Sequence, residues 1–86
     1  MKIIYSPTFK KRYKKLSPEI KLLAEKKEVI FRKDPFDKSL DTHKLHGQFR
    51  DSWSFSINRE YRIVFDFYTK DVIWFNTVGT HEEVYR

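Results

Sequence analysis

The sequence predicts an α+β domain in which an N-terminal strand and a two-helix hairpin pack on a small antiparallel sheet. Three observations carry this reading. Two Ser-Pro pairs, at Ser6-Pro7 and Ser17-Pro18, each precede an apolar stripe at helical spacing. After Gly47 the apolar period drops from 3.6 residues to 2. With 8 Phe, 5 Tyr and 2 Trp, the 86 residues have the bulk for one hydrophobic core and too little length for two. Residues 1–86 are therefore expected to form a single domain.

Lys2-Ile3-Ile4-Tyr5 carries a short strand signal, and Ser6 then caps a first helix with Pro7 at its first position. Phe9, Tyr13 and Leu16 form one stripe of that helix, leaving Lys10, Lys11, Lys14 and Lys15 outside it. Ser17-Pro18 repeats the signal for a second helix carrying Ile20, Leu23, Ala24, Ile30 and Phe31. It stops before Pro35, because Pro disfavours helical backbone at Asp34. The stretch from Asp34 to Gly47 has no period and reads as a loop. A short polar segment, GTHEEVYR, ends the sequence.

Between these lie the strands. Trp53, Phe55 and Ile57 alternate with serines, and Tyr61, Ile63, Phe65 and Phe67 alternate with Arg62, Val64 and Asp66. A slip of one residue would turn every side chain over, so the apolar faces fix the pairing. With a three-residue loop, Asn58-Arg59-Glu60, Ile57 faces Tyr61, Phe55 faces Ile63, Trp53 faces Phe65 and Ser56 faces Arg62. The next turn, around Thr69-Lys70, is expected to pair Phe67 with Val72, Phe65 with Trp74 and Arg62 with Thr77. That register puts both tryptophans in the core and leaves Val64, Ile73 and Phe75 on the second face, to be covered by the tail or by a partner.

The absence of cysteine excludes disulfides and thiolate metal sites, and 3 histidines are too few for a closed zinc site. No metal or cofactor is expected. A reducing cytoplasm fits the cysteine count, and no apolar run is long enough to span a bilayer, so no membrane association is expected. The net charge of +6 is uneven: residues 1–33 hold 11 Lys/Arg against 3 Asp/Glu, whereas residues 34–86 hold 7 against 9. A basic field of this kind attracts polyanions, and it equally suits a solvated helix face.

Gly79 ends the last predicted strand, so His81 emerges at the sheet end that carries Arg62 and Glu60. Histidine exchanges a proton near neutral pH, and an arginine fork matches a phosphate. The pair suits phosphodiester chemistry, with Glu60, His43 and His46 as further proton acceptors. Each has a plainer reading: His81 as padding of a C-terminal turn, and Arg62 as a cross-strand partner of Asp66 or Glu60. Tyr85 is the one aromatic assigned outside the core.

Three linked motifs carry a resemblance: H-x-L-x-G at residues 43–47, Y-R-I-V-F at 61–65 and G-T-H at 79–81. With the basic hairpin before them, the sequence resembles, over essentially its whole length, the RelE/ParE superfamily of type II toxin-antitoxin toxins. The YafQ-like and RelE/StbE-like members are nearest. The resemblance implies a fold similar to that of microbial ribonucleases, and a metal-independent endoribonuclease that cuts mRNA in the ribosomal A site by 2′-hydroxyl attack. It further implies His81 as general acid, Arg62 on the scissile phosphate, and His43 or Glu60 as base, with His46 an alternative. RNA contacts would come from His46, Lys44, Ser56, Tyr85, Lys10, Lys11 and Lys14, the basic third meeting ribosomal RNA. Ser56 stands where YafQ has a second catalytic histidine.

The resemblance also implies a cognate antitoxin, for which the strip Val64, Ile73 and Phe75 and the basic hairpin offer a surface. Two alternatives share the fold: a ParE-type poison of DNA gyrase, against which the G-T-H segment argues, and a catalytically degenerate module that binds antitoxin or RNA.

Overall fold

The computed structural model describes residues 1–47 and 51–85, arranged as a five-stranded sheet with a helical hairpin on one face and a short helix on the other. Strand β1 (Lys2–Tyr5) leads into α1 (Pro7–Lys14) and α2 (Pro18–Lys33). Both helices start where the Ser-Pro pairs place them. Ser6 Oγ accepts from Phe9 N at 2.9 Å and Ser17 Oγ from Ile20 N at 3.3 Å, each satisfying an N–H that the helix itself leaves free. Helix α2 stops at Asp34, held in extended backbone ahead of Pro35.

The segment expected to be a structureless loop is ordered. A 3-10 turn spans Lys38–Leu40, Asp41 follows in left-handed backbone at φ 50°, and β2 (His43–Lys44) then pairs antiparallel with β3 (Trp53–Ser56). A two-residue strand has no period to show in sequence. Strands β4 (Tyr61–Phe67) and β5 (Val72–Thr80) follow, and α3 (His81–Val84) closes the described chain. The sheet order is β1-β5-β4-β3-β2, and it is mixed rather than wholly antiparallel, since β1 runs parallel to β5.

The β3–β4 register matches the sequence expectation at every pair: Trp53 with Phe65, Phe55 with Ile63 and Ser56 with Arg62, closed by Ile57 N donating to Tyr61 O. The β4–β5 register does not. Phe67 pairs with Ile73, Asp66 with Trp74 and Phe65 with Phe75; a shift between Val64 and Phe65 then brings Val64 to Thr77 and Arg62 to Gly79. The turn is one residue longer than assumed, and the extra residue at Asn76 moves the pairing once more. Arg62 therefore does not stand beside Thr77.

This correction exchanges the faces of β5. Ile73 and Phe75 join the core under the helices, whereas Trp74 leaves it for the other side. The core is an aromatic cluster centred on Phe31 of α2, which stacks on Phe55 at 4.8 Å and meets Phe65 and Phe75 edge-on at 4.9 and 5.5 Å. On the second face Val64 is sealed by Leu45, Val84 and the ring of Tyr85, so the tail folds over this part of the sheet. No helix among the described residues is long and apolar enough to cross a membrane.

Candidate active site

The second face is organised around Arg62, whose guanidinium is almost fully buried. Its Nε donates to Ser54 Oγ at 3.0 Å, and its Nη2 donates to Asp41 O at 2.9 Å and lies 3.3 Å from His43 Nδ1. Its Nη1 sits 3.5 Å from the exposed Asp41 carboxylate. Asp66 and Glu60, the partners expected from the strand pattern, hold none of these bonds. Left-handed backbone, which aspartate tolerates better than most residues, is what turns the Asp41 carbonyl toward the guanidinium.

His43 Nδ1 also lies 3.1 Å from Asp41 O. Nδ1 thus stands between an acceptor, Asp41 O, and a donor, Arg62 Nη2, so either tautomer of the ring finds a partner there. Asp41 thus fixes both an arginine and a histidine through one carbonyl. No signal in the sequence marks a residue that acts through its backbone.

The other half of the site comes from the tail. Thr80 caps α3: its hydroxyl accepts from Glu83 N at 3.2 Å, and Glu83 Oε1 accepts from Thr80 N at 2.8 Å, the reciprocal pair of a capping box. The Thr80 backbone N–H, and after it the Thr80 hydroxyl, hold the Glu83 carboxyl below its ordinary value. Gly79 leaves room for this cap: a Cβ there would stand 2.8 Å from Glu83 Oε1 and force that side chain to shift. His81 occupies the first turn, its N–H donating to Glu60 O at 3.0 Å and its ring edge-on to Tyr85 at 4.3 Å. The Tyr85 hydroxyl meets Ser54 Oγ at 2.7 Å.

His81 is therefore joined to Arg62 through Tyr85 and Ser54, with no direct hydrogen bond between them among the described residues. Ser54, wholly buried, was not singled out in the sequence, where it is one serine in an alternating strand. Several expected site residues are not drawn into this cluster. The Glu60 side chain is exposed and only its carbonyl touches the site; Ser56 Oγ is spent on Asn58 O at 2.6 Å. Lys44 and His46 are exposed to either side of Leu45. Lys10, Lys11 and Lys14 lie on α1, on the helix-covered side of the sheet, where Lys10 and Lys14 edge a cleft of 520 Å³ over Tyr5, Phe9, Tyr13 and Ala24. That cleft is roomy but belongs to the opposite face from Arg62. Among the described residues no three His, Asp or Glu side chains converge as a metal site.

A mixed sheet backed by a helical hairpin is the fold of the RelE/ParE-type toxins. The fold is similar to YafQ from Escherichia coli (TM-score 0.73, 18% identity, 98% of this chain and 97% of that one). It is also similar to YafQ in the E. coli DinJ-YafQ complex (0.70, 19%, 98% and 97%) and to the YoeB dimer from Staphylococcus aureus (0.77, 18%, 94% and 97%). Within that class the chain belongs to the YafQ family of bacterial toxins of type II toxin-antitoxin systems, whose family profile matches residues 1–86. Membership implies a ribonuclease toxin with an antitoxin partner. Comparison with curated proteins found no match.

Proposed function

We propose that the chain is a ribosome-dependent mRNA interferase that cleaves without a metal, acting in the cytoplasm on mRNA in the ribosomal A site. The observation that carries the reading is the Arg62 cluster: a buried guanidinium fork with His43 on one side and the Tyr85–His81 pair on the other. Cleavage by 2′-hydroxyl attack needs a base at that hydroxyl, positive charge at the phosphate and an acid at the leaving oxygen.

In this scheme Arg62 holds the phosphate oxygens and offsets the charge that builds on them. His43, held beside the fork by its contacts with Asp41 O and Arg62 Nη2, takes the 2′-hydroxyl proton. His81 protonates the departing 5′-oxygen, leaving a 2′,3′-cyclic phosphate. Glu60 is the alternative base; only its carbonyl touches the cluster, whereas the His43 ring lies against Arg62, which makes Glu60 the weaker choice. Lys44, His46 and Tyr85 line the approach, and the lysines of α1 contact ribosomal RNA at a distance from the chemistry, where their charge draws the protein to its target.

For the antitoxin, the strip expected on the second face is not available, since Ile73 and Phe75 are in the core and Val64 is covered. The cleft of the helical hairpin, which Lys10 and Lys14 line together with Glu25 and Glu28, offers an apolar floor with charges of both signs for a partner segment. Antitoxin binding then survives His81→Ala.

The test is to induce the wild type and His81→Ala in cells and map mRNA 5′ ends. New ends on translated messages, absent with the folded variant, are expected. Growth arrest without new ends would instead indicate a gyrase-type target.

A further inference from the structure

Below the Arg62 cluster the same face of the sheet stays open. Trp74, turned out of the core by the β4–β5 register, lies half-buried there with Ile4, Asp66 and Tyr68 around a cleft of 460 Å³, and Tyr68 is 72% exposed. We infer that this cleft is a nucleobase subsite, in which a nucleotide flanking the scissile phosphate stacks on Trp74 while Asp66 accepts hydrogen bonds from its N–H edge. The inference rests on the RNA-cleaving reading above.

Three features point to a base rather than to backbone or protein. The first is Asp66 itself. Ser52 Oγ donates to its Oδ1 and Asn76 Nδ2 to its Oδ2 at 2.6 Å, so the carboxylate is pinned at both ends, yet each oxygen retains acceptor capacity. An acceptor-only anion repels phosphate and attracts paired N–H donors, a match that guanine makes with two and uracil with one. The second is the aromatic surface. Trp74 packs in neither hydrophobic cluster, and an indole left beside a tyrosine against solvent offers the flat face on which unpaired bases stack. The third is position. Asp66 stands four residues beyond Arg62 on one strand and on the same face, about 13 Å away at strand rise, so a chain held at Arg62 reaches it within a few nucleotides.

Two measurements test the assignment. On ribosomes programmed with messages randomised at the A-site codon, the wild type should favour G over U at one position. Trp74→Ala should lower kcat/KM about ten-fold, the loss expected for one stacked base, and Trp74→Phe should retain most of the rate. Asp66→Asn should flatten the G-over-U preference while cleavage persists. Variants that match the wild type at every codon would overturn the inference and leave the interferase reading intact. Separately, Trp53→Phe leaves Trp74 as the single tryptophan, and its emission should be quenched more by an uncleavable 2′-O-methyl hexanucleotide containing G than by one of U alone. Equal or absent quenching would sink the subsite. This readout stands even if no message is cut, or if Asp66→Asn fails to fold.

Discussion

The Tyr85 hydroxyl lies 2.7 Å from Ser54 Oγ, and that same oxygen accepts from Arg62 Nε at 3.0 Å. One buried atom therefore couples the proposed phosphate-binding arginine to the helix that carries His81. Ser54→Ala should cost about 1–3 kcal/mol, because it leaves the buried Nε–H unpaired, and should lower cleavage as well. Tyr85→Phe keeps the ring packing on Val64 and should cost only about 1 kcal/mol. Thermal unfolding of both variants checks the ordering.

Arg62→Lys should fail almost as badly as Arg62→Ala. The fork makes bonds in several directions at once, and an ammonium on a flexible stem cannot hold Ser54 and Asp41 while facing a phosphate. A fall of about 100-fold or more in kcat is expected for either change. Single-turnover cleavage on ribosomes measures it, and a lysine variant with near wild-type rate would remove Arg62 from the phosphate.

Gly79→Ala tests the cap by crowding. A methyl group would displace the Glu83 carboxylate, so α3 should loosen and His81 lose its place although the core is untouched. Thr80→Ala removes the other half of the capping box and should cost about 1 kcal/mol. Both variants should retain the wild-type core melting profile to within a few degrees and lose cleavage; amide exchange in residues 81–85 reports the loosening.

Acid should act on α3 first. The Glu83 carboxyl is held below its ordinary value by the Thr80 N–H and hydroxyl, so the folded cap favours the charged form. Its contribution is complete above the unfolded glutamate value of about 4.3 and is lost as pH falls through the lowered folded value. NMR signals of His81 and Tyr85 should therefore shift below about pH 4. Glu83→Gln should weaken the cap already at neutral pH.

What was legible in the sequence is what local chemistry decides. Ser6 and Ser17 mark their helices because a cap is a contact within one turn, and the β3–β4 register follows because two alternating faces and one short loop admit a single alignment. The β4–β5 register depends on the extra residue at Asn76, and nothing in that segment's residue types distinguishes a bulge from regular strand. The longer turn after Phe67 moved Ile73 and Phe75 into the core and Trp74 out of it, and the extra residue at Asn76 shifts only the pairs beyond it, bringing Arg62 to Gly79. In the site, Arg62, His43 and His81 show by residue type and by family resemblance. Asp41 works through its carbonyl and Ser54 through burial, and neither property is written in a residue's identity.

The parallel pairing of β1 with β5 bears on synthesis. The first strand made has as its neighbour the last strand made, and the aromatic core draws Phe75 and Val78 from that last strand. Until β5 has left the ribosome β1 has no strand to pair with and Phe31 has no Phe75 to pack against. A nascent chain therefore cannot complete its core before β5 is made. A transcript severed anywhere upstream of the β5 codons therefore yields no folded toxin.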